Sequence, residues 1–233
     1  MAGVVLVHGL YHRPEHFARV AADLRTSGAE VVVPELHRGS LAADTAVVQA
    51  AVDGLGEPPV VLGHSYGGSV ITGLRGVAHL VYLAAFVPDA AQSASGLGGT
   101  SPELQAAIVP EADGSTRLDP DRAGDVLYAD CPAHLAADAV RLLRAQAPGC
   151  GRGVPERQSW KRAPATYIVC SQDRAIDPRL QRRMAVRCGF VREWRTGHSP
   201  FVGRPELISG LVRELLDDAG SPHRAGAGAT TTR

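Results

Sequence analysis

Lysine is almost missing from this 233-residue chain: Lys161 is the sole one, and every other basic side chain is an arginine. The arginines are scattered rather than gathered into a stripe, which reads as a coding bias. Net charge is missing too, because 24 basic residues balance 24 acidic ones. A chain without a basic excess has nothing to draw it to nucleic acid or to an anionic membrane, so neither is an expected partner. Cysteine is sparse, and Cys131, Cys150, Cys170 and Cys188 never stand at C-x-x-C spacing, which argues against a zinc or thioredoxin-like site. No basic segment precedes a long apolar run at the start, since Met1 leads straight into Val4–Val7. That pattern is not a secretory signal and predicts a cytoplasmic protein with free thiols. No apolar stretch reaches the length of a membrane span.

What is present is an alternation. Residues 3–7, 30–33, 59–63, 79–86, 165–170 and 190–194 are short apolar runs of the kind that form strands buried on both faces. Between them, residues 14–27, 44–55, 66–74, 178–187 and 205–217 carry helical spacing, with Asp44 and Asp177 as candidate N-caps. Such alternation predicts an α/β fold with a mostly parallel sheet of about six strands and helices on both faces. The rhythm breaks at residues 88–162, a Gly/Ala/Ser-rich stretch with one helix at about 132–145, which reads as a small helical cap inserted over the sheet. The domain is expected to span residues 1–218, followed by a disordered Gly/Ala/Thr-rich tail at 219–233. In a parallel sheet the chemistry lies beyond the carboxyl ends of the strands.

Gly63-His64-Ser65-Tyr66-Gly67 matches G-x-S-x-G. The motif recurs by chance, but here it follows a Val-Val-Leu run and opens a helix, the context a nucleophile elbow requires. A serine at such a turn sits in a strained backbone that lifts its hydroxyl, and the crowded flanks admit only small residues. Ser65 is therefore the candidate nucleophile. Two backbone donors are needed for the oxyanion that its attack would create. The N–H of Tyr66 and that of Leu10, after the first strand in Val7-His8-Gly9-Leu10, are the candidates. His8 reads as a residue that holds this loop.

Of the nine histidines, most are expected to be satisfied surface or core residues. His198 stands apart, in Thr196-Gly197-His198-Ser199-Pro200 just past the last strand, and is the candidate general base. Its carboxylate partner is Asp173, after the strand ending at Cys170. The order Ser65, Asp173, His198 suits this kind of fold. Asp89, after the fourth strand, is the rival carboxylate. Tyr11, Phe86, Tyr128 and Trp160 are candidate substrate contacts, with local packing as the competing reading for Tyr128 and Trp160. His12 and His134 are expected at the surface rather than against substrate.

These segments resemble the small α/β-hydrolase esterases, including the plant methyl-esterase and hydroxynitrile-lyase branch and its bacterial relatives. The resemblance rests on residues 4–12, 63–68, 171–176 and 197–201 and is weakest over 88–160. It implies a cofactor-independent, metal-free serine esterase with Ser65, Asp173 and His198 as a triad, and a sheet that lacks the two first strands of larger members. Lyase chemistry is disfavoured, because Gly9 stands where those lyases carry threonine and Ser199 where they carry lysine. The expected function is cleavage of a small or medium carboxylic ester through an acyl-enzyme. A thioesterase, lactonase or cyclase of secondary metabolism, and a slow-turnover ligand sensor, are the alternatives.

Overall fold

Valine and leucine fill the first strand, and in the computed structural model, which describes residues 2–36 and 39–220, Val4, Val5, Leu6 and Val7 are wholly buried. Successive side chains of a strand point to opposite faces. Val4 and Leu6 accordingly pack with Phe17, Val20, Leu24, Ile208 and Val212 on one side. Val5 and Val7 pack with Val48, Val52, Val70 and Ile71 on the other. Each such burial contributes about 1.5–3 kcal/mol, and a strand apolar on both faces is stable only between two helical layers.

The strands in chain order are β1 (Gly3–Val7), β2 (Glu30–Val32), β3 (Val60–His64), β4 (His79–Leu83), β5 (Ile108–Pro110), β6 (Thr116–Leu118), β7 (Ala165–Cys170) and β8 (Phe190–Trp194). Six of them form one sheet in the order β2-β1-β3-β4-β7-β8, and every pairing in it is parallel. The helices are α1 (Ala18–Thr26), α2 (Leu41–Asp53), α3 (Gly67–Thr72), α4 (Ala94–Leu97), α5 (Pro102–Ala107), α6 (Pro120–Leu127), α7 (Ala133–Leu142), α8 (Pro178–Ala185), α9 (Pro200–Gly203) and α10 (Pro205–Gly220). Among the described residues no helix is long and apolar enough to cross a membrane.

Local capping explains two helix starts. Asp177 caps α8 as expected, accepting the N–H of Arg179 at 2.7 Å, with Pro178 in the first turn. Asp44 does not cap α2. The helix starts three residues earlier, where the Ser40 hydroxyl accepts the N–H of Ala43, and Asp44 is wholly buried in its first turn. A carboxylate left in the interior requires a partner, and Asp44 has one in the Tyr66 hydroxyl at 2.7 Å.

Between β4 and β7 the chain holds α4 to α7 and an antiparallel hairpin of β5 with β6, in register Ile108↔Leu118. Its strands are three residues each, too short for a periodicity signal. The local cue was the turn dipeptide Asp113-Gly114, where the Asp113 carboxylate accepts the Ser115 N–H. At the other end α10 runs on to Gly220, past the expected boundary at 218. Residues 221–233 of the expected tail lie outside the described residues, as do His37 and His223.

Candidate active site

Ser65 stands between the end of β3 and the start of α3 with φ at 54°, in the left-handed region. Such a conformation in a non-glycine residue costs about 1–3 kcal/mol and persists only when its surroundings impose it. Here three backbone bonds do so: Ser65 N–H to Leu83 O, Phe86 N–H to Ser65 O, and Gly68 N–H to Ser65 O, at 3.0–3.1 Å. The turn leaves no space for a side chain at Gly67, where a Cβ would lie 2.6 Å from the Val7 carbonyl oxygen and 2.9 Å from that of His8. Both obstacles are backbone and cannot swing aside, so residue 67 must be glycine.

His198 lies in the loop after β8 and is 2% exposed. Its Nδ1 is 2.8 Å from Asp173 Oδ2. Asp173 comes from the loop after β7. Its Oδ1 accepts the N–H groups of Ala175 and Ile176 at 2.7 and 3.0 Å, and its Oδ2 also accepts from Gln181 Nε2 at 2.7 Å. Gln181 is itself locked, since its Oε1 accepts the Cys170 N–H and its Nε2 also reaches the Ile176 carbonyl. With three fixed N–H donors on this carboxylate, the His198 Nδ1–H is directed at it as well, which leaves the far ring nitrogen, Nε2, as the acceptor. The rival Asp89 is partly exposed, pairs with Lys161 and bonds no histidine.

Ser65 and His198 line one cavity of about 150 Å³. No hydrogen bond joins them among the described residues, and such bonds commonly tighten only when substrate arrives. Leu10, Tyr11, Tyr66 and Phe86 also line the cavity. Leu104 and Ile108 of the inserted segment, with Leu127 and Ile176, form its apolar wall. Among the described residues, no Asp, Glu, Lys or Arg lines it. Larger open depressions of about 680 and 670 Å³ beside Arg157 and Phe190 share none of these residues. Neither the Leu10 N–H nor the Tyr66 N–H is bonded to a protein acceptor among the described residues.

Two expected substrate contacts lie elsewhere. The Tyr128 ring is 1% exposed, and its hydroxyl meets His12 Nε2 at 3.1 Å rather than the cavity. The indole N–H of Trp160 donates to the Pro88 carbonyl at 3.2 Å. Both polar tips are occupied by local packing partners. His12, expected at the surface, is 1% exposed and borders the cavity, whereas His134 is exposed. Sequence reasoning had no signal for His12, because burial of a histidine depends on who packs over it. His8 holds its loop as expected, with Nε2 accepting the Leu36 N–H.

His12, His16 and His64 form a buried cluster against His198. His64 packs on the His198 ring at 4.5 Å and donates from Nε2 to the His198 carbonyl at 3.0 Å. His12 lies 4.7 Å from His16 and 5.2 Å from His64 between ring centres. Among the described residues no group of three or more His, Cys, Asp or Glu side chains is arranged to hold a metal ion. Burial, reinforced by the neighbouring imidazoles, holds His12 and His64 well below the ordinary histidine value of 6.5, and burial lowers His16 as well. These imidazoles therefore stay neutral in the folded protein at pH values where an unfolded chain is protonated. Below pH 6.5 the unfolded state binds more protons, so stability is fully present above that pH and is lost as pH falls towards the lowered native values. Each imidazole that stays neutral in the folded state steepens that fall by up to about 1.4 kcal/mol per pH unit. Urea melts between pH 7.5 and 5 are expected to show that fall, and His64→Gln to make the slope shallower by up to that amount. An unchanged slope in that variant would mean that His64 is not held neutral.

Comparison with known proteins agrees with this architecture. The family described as "Alpha/beta hydrolase family" matches residues 4–210. The chain is 27% identical to the alpha/beta hydrolase nvfD of Aspergillus novofumigatus (strain IBT 16806), over 93% of this chain and 97% of that protein. It is 34% identical to a carbendazim hydrolyzing esterase of Nocardioides sp. (strain SG-4G), over 48% of this chain and 50% of that one. Among solved structures, a pyrethroid hydrolase from Sphingobium faniae JZ-2 superposes with a TM-score of 0.79 at 21% identity, covering 93% of this chain and 97% of that chain. A sheet of six parallel strands, a strained serine between strand and helix, and a family match over residues 4–210 all lead to one assignment: the chain belongs to the alpha/beta hydrolase family.

Proposed function

We propose that this hydrolase cleaves a small, uncharged carboxylic ester through an acyl-enzyme formed on Ser65. The observation that carries the reading is the 2.8 Å bond from His198 to a fully satisfied Asp173, with Ser65 and His198 facing the same uncharged cavity. His198 Nε2 takes the Ser65 proton as Oγ bonds to the ester carbonyl carbon. The tetrahedral oxyanion is met by the N–H groups of Leu10 and Tyr66. The imidazolium then protonates the departing alcohol as the carbon–oxygen bond breaks. Water, deprotonated by the same nitrogen, attacks the acyl-enzyme and releases the acid and free Ser65.

The cavity supports a substrate class. The cavity is small, about 150 Å³. That suits a short acyl chain. With no charged side chain in the lining to pair with a carboxylate or phosphate, a charged acyl group would be buried uncompensated. The esterase and hydrolase relatives support ester cleavage in general terms.

The test is turnover of p-nitrophenyl acetate and butyrate against the palmitate, with labelling by a fluorophosphonate mapped by peptide analysis. Turnover of the short esters at least tenfold faster than the palmitate, with the label on Ser65, is the expected result. No hydrolysis of any ester, thioester or lactone, together with an unlabelled Ser65, would rule the reading out. Slow single turnover with a large ligand-induced rise in melting temperature would instead indicate a ligand sensor.

A further inference from the structure

The turn that ends α6 touches both loops of the candidate site without entering the cavity. Tyr128 reaches the loop after β1 through His12, and Asp130 reaches the loop that bears His198. We propose that Tyr128 and Asp130 are positioning residues: Tyr128, acting through His12 on the Leu10 carbonyl, fixes the loop just after the peptide whose N–H is the oxyanion donor, and Asp130 sets the backbone that presents His198. The inference rests on the acyl-enzyme reading above and adds to it the residues that hold its parts in register.

The polarity of the first link is dictated by chemistry. His12 Nδ1 is 3.0 Å from the Leu10 carbonyl oxygen, which can only accept, so the ring proton is on Nδ1. His12 Nε2 then has a bare lone pair, and the Tyr128 hydroxyl at 3.1 Å donates to it. Burial keeps both groups neutral, since it lowers the histidine and raises the phenol well above 10. The direction Tyr128 O–H to Nε2, then Nδ1–H to Leu10 C=O, is thus permanent in the working pH range. The Ser199 hydroxyl, 3.4 Å from the same Nε2, links this relay to the residue after His198.

The loop requires such a hold. Tyr11, next to Leu10, sits at φ 66°, a conformation that relaxes unless its neighbours oppose it. Two further ties come from the inserted segment: the Arg144 N–H donates to the Tyr11 carbonyl at 3.0 Å, and the Tyr11 hydroxyl meets Thr116 Oγ1 at 2.9 Å. The oxyanion loop is therefore clamped to the inserted segment.

Asp130 acts on the other loop. Its Oδ2 accepts the Gly197 N–H at 2.7 Å, one residue before His198. The carboxylate occupies the place a Cβ on Gly197 would need. The His198 carbonyl is held on the far side by His64. The base is thus fixed through its backbone on both flanks. Asp130 Oδ1 is buried with no hydrogen-bond partner among the described residues. A buried carboxylate oxygen without a partner is costly to stability, which argues for a role in the site rather than in the fold.

The experiment compares wild type with Tyr128→Phe, His12→Asn, His12→Leu, Asp130→Asn and Asp130→Ala. Each is assayed for kcat and KM on p-nitrophenyl acetate, for inhibition by an alkyl trifluoromethyl ketone that forms an oxyanion adduct, and for melting temperature. Tyr128→Phe is expected to lower kcat about 10- to 100-fold with KM within twofold, and to weaken the ketone by the same factor. His12→Asn, whose amide still donates to Leu10, is expected to keep most activity that His12→Leu loses. Asp130→Asn, which retains an acceptor for Gly197, is expected to rescue what Asp130→Ala loses. Unchanged kcat and ketone affinity in Tyr128→Phe would overturn the Tyr128 link. Equal losses in the Asn and hydrophobic variants, tracking melting temperature alone, would overturn the positioning role altogether. Should Tyr128→Phe fail to fold, the two His12 variants decide the first link. A wild-type protein that neither turns over the ester nor labels at Ser65 overturns the acyl-enzyme reading and this inference with it. Labelling of wild type with equal ketone binding in all variants overturns this inference alone.

Discussion

Ser65→Ala is expected to lower kcat on a short p-nitrophenyl ester by about 10⁶-fold while changing stability by less than about 1 kcal/mol. The two halves have separate causes. Loss of the Oγ removes the nucleophile of the proposed reaction, so no acyl-enzyme forms. A residual rate above that in water would remain, because backbone donors can still polarise a bound ester. Stability is spared for local reasons. The Ser65 hydroxyl has no hydrogen-bond partner among the described residues, so its removal orphans nothing. Alanine also tolerates this kind of backbone here, since Ala84 and Ala91 already adopt φ values of 45° and 61°. Burst kinetics and a thermal melt on the same preparation check both halves. A variant that keeps more than about 1% of wild-type turnover would remove Ser65 from the mechanism.

Asp173→Asn is expected to lower kcat by about 10⁴-fold, about 5.5 kcal/mol of barrier. The reason is a conflict of donors. Oδ1 faces two backbone N–H groups that cannot move, so the Asn carbonyl must take that place. Its NH₂ then points at Gln181 Nε2 and His198 Nδ1. Gln181 cannot turn over to accept, because its own Oε1 is committed to the Cys170 N–H. His198 is left to accept at Nδ1, which moves its proton to Nε2 and removes the lone pair that would take the Ser65 proton. Asp89→Asn is the control and is expected to leave kcat unchanged, since that carboxylate serves only Lys161 and local backbone. An Asp173→Asn enzyme within tenfold of wild type, or an Asp89→Asn enzyme that has lost activity, would reverse the assignment.

These predictions rest on features of unequal legibility. The elbow at Ser65 was readable because its cause is local: a strand, a serine and glycines within a few residues leave one steric solution. The six sheet strands were readable for a similar reason, since a parallel strand must be apolar on both faces and so announces itself as a continuous run. Asp44 shows where such reading stops. Its position near a helix start suggested a cap, but Ser40 takes that role and Asp44 turns inward to Tyr66. Ser40 is a local signal, but the inward turn of Asp44 is set by a tyrosine 22 residues away.

The cap followed the same division. Tyr128 and Trp160 were aromatic residues in the right segment, yet aromatic character does not say which way a ring faces. Their polar tips found His12 and Pro88, and the cavity was left to Leu104, Ile108 and Leu127. Sequence alone determined the fold family, the order of strand and helix, the candidate nucleophile and the short list of bases and acids, because these depend on periodicity and on backbone sterics over a few residues. Only the tertiary structure decided which carboxylate meets His198, that His12 is interior, and which side chains shape the cavity. Those outcomes turn on contacts between residues distant in the chain, whose directions are set by packing rather than by neighbours in sequence.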